Sequence, residues 1–174
     1  YYDVTHSNLK YAYRDGKEWR IQIVDQFGAV GFGTSLALDS GDHPHISYRQ
    51  INADNLGNLK YAHLQKGRWL LEVVQGTGDV SGRTSIALSQ NNLPAIGYFR
   101  YLIAPKWQVG RAMFARYNGS AWEYAVADDM DDVGYDVSLG LDSAEQPHLS
   151  YYDATHGDLK RAFQTPLRFY RMAL

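Results

Sequence analysis

An all-β fold made of repeated four-stranded antiparallel units is predicted by three observations. The opening stretch YYDVTHSNLKYA returns near the end as YYDATHGDLKRA, identical at eight of twelve positions. A tyrosine after Ser or Gly recurs as Tyr48, Tyr98 and Tyr151 with Tyr1 in phase, and a tryptophan after a Gly turn keeps step as Trp19, Trp69 and Trp122. The segment TSLALDS (34–40) returns as TSIALSQ (84–90) and VSLGLDS (137–143). Three landmarks share one period near fifty residues, the length of a β-propeller blade.

Each period holds four short segments that read as strands. The first is SLALD, SIALS or SLGLD, and the second PHISY, PAIGYF or PHLSYY. The third is LKYAYR, LKYAHL, AMFARY or LKRAF; the fourth is WRIQIV, WLLEVV or WEYAVA. Turns such as SGDHP, QNNLP and SAEQP separate the first two, and RDG, QKG and YNG precede the tryptophan strand. No segment has helical periodicity. In the first strand Leu36 and Leu38 alternate with Ala37, and in the second Ile46 and Tyr48 alternate with Ser47. Alternation puts bulky and small residues on opposite faces, which lets neighbouring sheets interdigitate. The first strand is therefore expected innermost and the tryptophan strand outermost.

The repeats run about 1–47, 48–97, 98–150 and 151–174, giving about three and a half blades. The expected architecture is a partial propeller, or one protomer of an oligomeric ring. Two whole blades are expected at about 35–75 and 84–127, with a third starting near Val137. Its tail, QTPLRFYRMAL, lacks the Gly-x-x-Trp turn, which leaves its fourth strand doubtful. A solenoid-like β stack is the structural alternative. Raw sheet edges invite pairing with another chain, so a homo-oligomer or a longer chain is expected. The first residue, Tyr1, sits inside a repeat, which suggests a processed chain, a fragment or an incomplete sequence.

The phrases TSLALDSGDHPHISY and YYDATHGDLKRA resemble uncharacterised bacterial and archaeal repeat proteins of the PHISYYD…LKYA type. These are expected to be extracytoplasmic β-propellers, loosely similar to sialidase-like and lectin propellers. The resemblance covers nearly the whole chain and implies a fold and export to the periplasm, cell surface or medium. It carries no activity, and the sialidase Asp-box pattern S-x-D-x-G-x-x-W is absent.

Composition narrows the function classes. A net charge of −2 and a pI near 6.3 argue against a nucleic-acid partner. No long apolar run suggests membrane insertion. Absent cysteine excludes disulfides and thiolate chemistry. The fourteen tyrosines and four tryptophans suit both strands and binding surfaces.

Candidate sites lie mainly on the rim formed by the longer loops. The insertion RYLIAPKWQVGR (100–111) lengthens the second-to-third connection, and its Arg100, Tyr101, Trp107 and Arg111 are candidates for stacking on a sugar or clamping a peptide. The Asp-x-Thr-His corner occurs as Asp3 with His6 and as Asp153 with His156. It reads either as a repeated ligand pocket or as a self-capping turn, the turn being favoured. His43, His45 and His148 begin second strands and read as ties between hairpins, since zinc needs more converging ligands; His63 shows no partner signal. Asp128, Asp129, Asp131 and Asp132 offer oxygen ligands for Ca²⁺, in a loop without EF-hand spacing; a solvated loop is preferred. No catalytic constellation is legible. The expected function is a non-catalytic module for carbohydrate or protein ligands, with a propeller glycosidase or lyase fragment as the alternative.

Overall fold

A computed structural model describes residues 1–174 except 53–55, 77–78, 105–106, 166–167 and 174. The side chains of 79, 103–104, 107–108, 165 and 168–173 also lie outside the described residues. The described chain is all-β, without a helix, and forms four antiparallel sheets. The first holds β1 (Tyr2–Asp3), β2 (Asn8–Asp15) and β3 (Glu18–Asp25). The second holds β4 (Ala29–Leu38), β5 (Pro44–Ile51), β6 (Gly57–Gln65) and β7 (Arg68–Gln75). β8 (Asp79–Leu88), β9 (Pro94–Ala104), β10 (Trp107–Tyr117) and β11 (Trp122–Asp128) form the third. The fourth holds β12 (Val133–Leu141), β13 (Pro147–Asp153), β14 (Asp158–Thr165) and β15 (Arg168–Ala173). Within each sheet the strands follow chain order.

One doubtful strand is present and two expectations are corrected. The tail of the chain forms a fourth strand: β15 pairs with β14 from Thr165↔Arg168 to Lys160↔Ala173, because a hairpin ladder needs backbone groups and no tryptophan. The first strands begin earlier than the leucine pattern suggests, at Ala29, Asp79 and Val133. They are broken by register shifts, as at Val30/Phe32 and Phe32/Ser35. The glycines of GAVGFG serve these bulges: Gly31 has φ +106°, and a Cβ there would lie 3.0 Å from Leu9 Cα in the preceding sheet. The insertion at 100–111 does not build a long loop. It lengthens β9 and β10, which pair from Arg116↔Ala95 to Trp107↔Ala104.

The small-residue face works as the alternation predicts. Ile86 belongs to a buried cluster flanked by Ala37, and Leu139 to one containing Ala95 and flanked by Ala87. A Cβ on Gly97 would meet Val137, Leu139 and Leu149 at 3.2–3.4 Å. Serine hydroxyls on this face reach the next sheet: Ser35 Oγ accepts from Ile86 N at 3.1 Å, and Ser85 Oγ from Leu139 N at 3.0 Å. Ser47 and Thr84 hydroxyls meet at 2.7 Å.

A second tie repeats on the bulky side. Tyr48, Tyr98 and Tyr151 are buried, and each donates to a residue twenty-three positions earlier, at the end of the preceding sheet's outer strand. The acceptors are Asp25 (2.7 Å), Gln75 and Asp128 (2.8 Å). Asp25 also accepts from Lys60 Nζ at 2.5 Å and from Phe27 N at 3.0 Å. These donors keep a buried carboxylate ionised; burial opposes them, yet the Asp25 pKa lies below its ordinary value.

Two stability predictions follow from this packing. Gly97→Leu should cost about 1–3 kcal/mol by overfilling the contact with Val137 and Leu139, read from the urea midpoint. Asp25→Ala should cost about 3–5 kcal/mol, since it leaves the Lys60 ammonium buried without its carboxylate, and should flatten the loss of stability on acidification that a depressed Asp pKa produces.

Candidate functional site

Antiparallel order sends the first-to-second and third-to-fourth hairpins to one rim, and the remaining connections to the other. The main groove, of about 870 Å³, lies on the hairpin rim between the second and third sheets. The second sheet lines it with Asp39 and His43 from the β4–β5 hairpin, His45 from β5, Tyr61 and His63 from β6, and Glu72 from β7. The third sheet contributes Asn92 and Leu93 from the β8–β9 hairpin and Tyr117 from β10.

The groove is aromatic and polar together. Tyr61 stacks on His63 with centroids 5.3 Å apart, and His63 stacks on His45 at 5.6 Å. Trp122 packs edge-on against Tyr61 at 5.6 Å and tilts against Tyr117 at 5.5 Å. Its indole N–H donates to Glu72 Oε2 at 3.1 Å across the two sheets. Asn92 clamps the neighbouring hairpin by accepting from Ser40 N at 3.0 Å and donating to Ser40 Oγ at 2.8 Å.

Protonation in the groove follows from these contacts. Burial pushes the Tyr61 hydroxyl up, so it stays protonated, and it is hydrogen-bonded with His45 Nδ1 at 2.5 Å. His45 Nε2 faces the Asp39 carboxylate at 3.7 Å. Burial alone would raise the Asp39 carboxyl. The N–H groups of His43 and Gly41, with the His43 imidazole, outweigh it and hold the pKa at about 2. Burial depresses both His45 and His63 below 6.5, so both imidazoles are neutral at pH 7. Among the described residues His63 Nδ1 is buried without a hydrogen-bond partner, a polar atom left for a water or a ligand.

The ligand-binding candidates of the sequence fall elsewhere, on the opposite rim. Arg100 and Arg111 are directly paired across β9 and β10. Tyr101 packs edge-on against Phe99 at 4.7 Å, and its hydroxyl lies 3.3 Å from that of Tyr135. The Trp107 side chain lies outside the described residues. The two Asp-x-Thr-His corners are alike. Asp3 accepts from Thr5 N at 3.0 Å and meets His6 at 2.8 Å and Lys10 at 2.6 Å. Asp153 accepts from Thr155 N at 2.9 Å and meets His156 at 2.9 Å and Lys160 at 2.5 Å. Each Asp thus caps its own turn and holds a lysine.

The acidic loop is turned several ways. Asp128 is buried against Tyr151, Asp132 accepts from Gly110 N and Tyr135 Oη, and Asp129 is exposed. Among the described residues the cluster with metal-ligand spacing is Asp131, Asp153 and His156, not the four aspartates together. Lys160 Nζ already sits 2.5 Å from Asp153 and 3.9 Å from Asp131, supplying the positive charge that a cation would bring.

The sequence did flag His43 and His45, as structural ties. It missed Tyr61, Glu72, Asn92 and Tyr117, which converge only when two sheets pack. The signal available was Trp122, which keeps the repeat's phase and packs against the groove's Tyr61 and Tyr117.

No protein-family model and no curated protein matches the chain. Among solved structures it is similar to a fucose lectin from Kordia zhangzhouensis in complex with methyl-fucoside. The TM-score is 0.53 at 16% identity, over 82% of this chain and 99% of that one. It is also similar to a protein of unknown function from Dyadobacter fermentans, with TM-score 0.62 and 12% identity over 91% of this chain. The match spans 56% of the Dyadobacter chain. At these identities the likenesses concern the β-fold alone.

The histidine shifts predict a pH dependence. Unfolding exposes His45 and His63, which then take up protons near 6.5, while the folded groups take them up only at lower pH. Their contribution should make stability fall as pH drops below about 6.5. In ring-proton NMR titrations His45 and His63 should titrate below 6.5, and His156, raised by Asp153, above it.

Proposed function

We propose that the four sheets are blades of an open β-propeller and that the chain is a non-catalytic carbohydrate-binding module working outside the cytoplasm. The observation that carries this reading is the groove between the second and third sheets. A saccharide presents apolar C–H faces ringed by hydroxyls, and needs aromatic surface beside fixed donors and acceptors. Tyr61 and Tyr117, packed against Trp122, supply the first; Asp39, His43, Glu72 and the His63 nitrogen, unpartnered among the described residues, supply the second. The likeness to a fucose lectin supports the reading, as does the repeat resemblance to lectin propellers.

The groove suits binding better than glycoside hydrolysis. Hydrolysis needs a carboxylic acid whose pKa is raised so that it can protonate the leaving group. Asp39 is held at about 2, and Glu72 already accepts the Trp122 indole N–H.

The test is calorimetric titration of neutral monosaccharides, methyl-fucoside among them, with Trp122 fluorescence as a second readout. Saturable binding is expected, weakened about tenfold or more by Glu72→Gln or His43→Ala, since a hydrogen bond to a charged group is worth about 1.5–3 kcal/mol. Asp3→Asn on the opposite rim should leave binding unchanged. Absence of saturation at millimolar saccharide, or binding indifferent to Glu72, would sink the assignment.

A further inference from the structure

Each sheet carries one cross-strand pair two residues past the tyrosine of its repeat, and three of the four pairs settle their charge internally. In the first and fourth sheets the pairs are Asp3↔Asn8 and Asp153↔Asp158. Asp3 is met by Lys10 at 2.6 Å and Asp153 by Lys160 at 2.5 Å. In the second sheet the pair is Gln50↔Asn58, and the two amides bond each other at 3.4 Å. In the third sheet it is Arg100↔Arg111, two cations in direct opposition. Directly opposed residues share a face, so like charges there repel.

These two guanidinium groups also lack acceptors. Arg49 and Arg116, half-buried as they are, donate to Ser81 Oγ at 3.0 Å and to the Glu145 carbonyl. Among the described residues Arg100 and Arg111 have neither a hydrogen-bond acceptor nor an ion pair, and Arg100 Nε is buried without a partner. A buried donor on a charged group is costly to leave unmatched.

The surroundings on that face are neutral. Tyr48 and Tyr151 donate to Asp25 and Asp128, but Tyr98 donates to Gln75. Lys60 and Lys160 stand opposite the first two tyrosines, and Met113 stands opposite Tyr98. Burial raises the Tyr98 hydroxyl pKa and the Arg100 charge opposes the rise, so that charge acts on a tie that holds no carboxylate.

We propose that Arg100 and Arg111 form an oxyanion site, taking a sulfate or phosphate group that is free or carried on a larger molecule. The bound group does for the third sheet what the Asp3 and Asp153 carboxylates do for the first and fourth: it gives the pair the opposite charge. A guanidinium fork matches two oxygens of such a group with parallel N–H donors. Two opposed forks bring a double positive charge, which favours a dianion over chloride. Both side chains are half-buried, so one side of each stays open to water. The site is independent of the saccharide groove, which lies on the other rim.

The test titrates sodium sulfate into the full chain at constant ionic strength, replacing sodium chloride, and follows the arginine Nε–Hε resonances by NMR. Saturable shifts are expected at Arg100 and Arg111, and Arg111→Gln should weaken binding about tenfold or more. Arg83→Gln removes an exposed arginine paired with Asp136 and should leave the titration unchanged. A sulfate monoester separates the two sources: binding tighter than sulfate assigns the site to a carried group, and weaker binding to the free ion. The Tm in chloride distinguishes this from a structural role. Arg111→Gln should hold or raise it, because a like-charge pair is removed. Shifts that grow linearly with sulfate, a titration that Arg111→Gln does not alter, or a Tm lowered by Arg111→Gln in chloride would each overturn the proposal.

Discussion

The hydroxyl of a buried tyrosine on the second strand, donating to the end of the previous sheet's outer strand, is the interaction on which the rest of the arrangement depends. Tyr48, Tyr98 and Tyr151 each make it over the same twenty-three residues. It joins successive sheets at the side where their outer strands end. At Asp25 and Asp128 the acceptor is a carboxylate that also caps its own turn, taking the N–H of Phe27 or Met130. One residue therefore ends an outer strand, turns the chain and anchors the following sheet. Burial makes the arrangement exacting, because a carboxylate removed from water must keep every donor it has.

The inner strands do the complementary job. Serine, glycine and alanine on one face let the next sheet approach until hydroxyl-to-backbone bonds form. With both ends of each sheet tied, the angle between neighbours is set, and so is the width of the groove between them. Trp122 reaches across to Glu72 of the second sheet as Trp69 reaches across to Gln22 of the first. The groove is thus a by-product of the repeat, and its chemistry depends on what each repeat places at the same few positions. Between the second and third sheets those positions hold three histidines, two tyrosines and two carboxylates.

Local electrostatics explain why the prominent motifs of the sequence are not where the polar groove lies. In the corners of Asp3 and Asp153 the carboxylate is consumed by its own turn and by a lysine on the adjacent strand, two residues beyond its ladder partner. In the second repeat Gln50 stands at the corner position, and the equivalent Lys60 turns to Asp25 instead. The lysine needs a carboxylate because it is buried, as Lys60 is, or half-buried, as Lys10 and Lys160 are, and it takes whichever one the repeat provides.

The sequence by itself determined the repeat, the strand type and order within each sheet, the corners, and the small-against-large packing faces. All of these follow from local alternation, turn chemistry and a fifty-residue period, which need no knowledge of distant contacts. It left the last strand doubtful, because a backbone ladder can form without the side-chain signature of its counterparts. It also misjudged the 100–111 segment, whose residues could read as loop until the pairing of β9 with β10 decided otherwise. Only the tertiary structure decided the candidate site. His45, Tyr61 and Glu72 lie on three different strands, and Asn92 and Tyr117 on another sheet, so no spacing along the chain brings them together. Their convergence comes from the approach distance between two sheets, which small side chains and buried hydrogen bonds set.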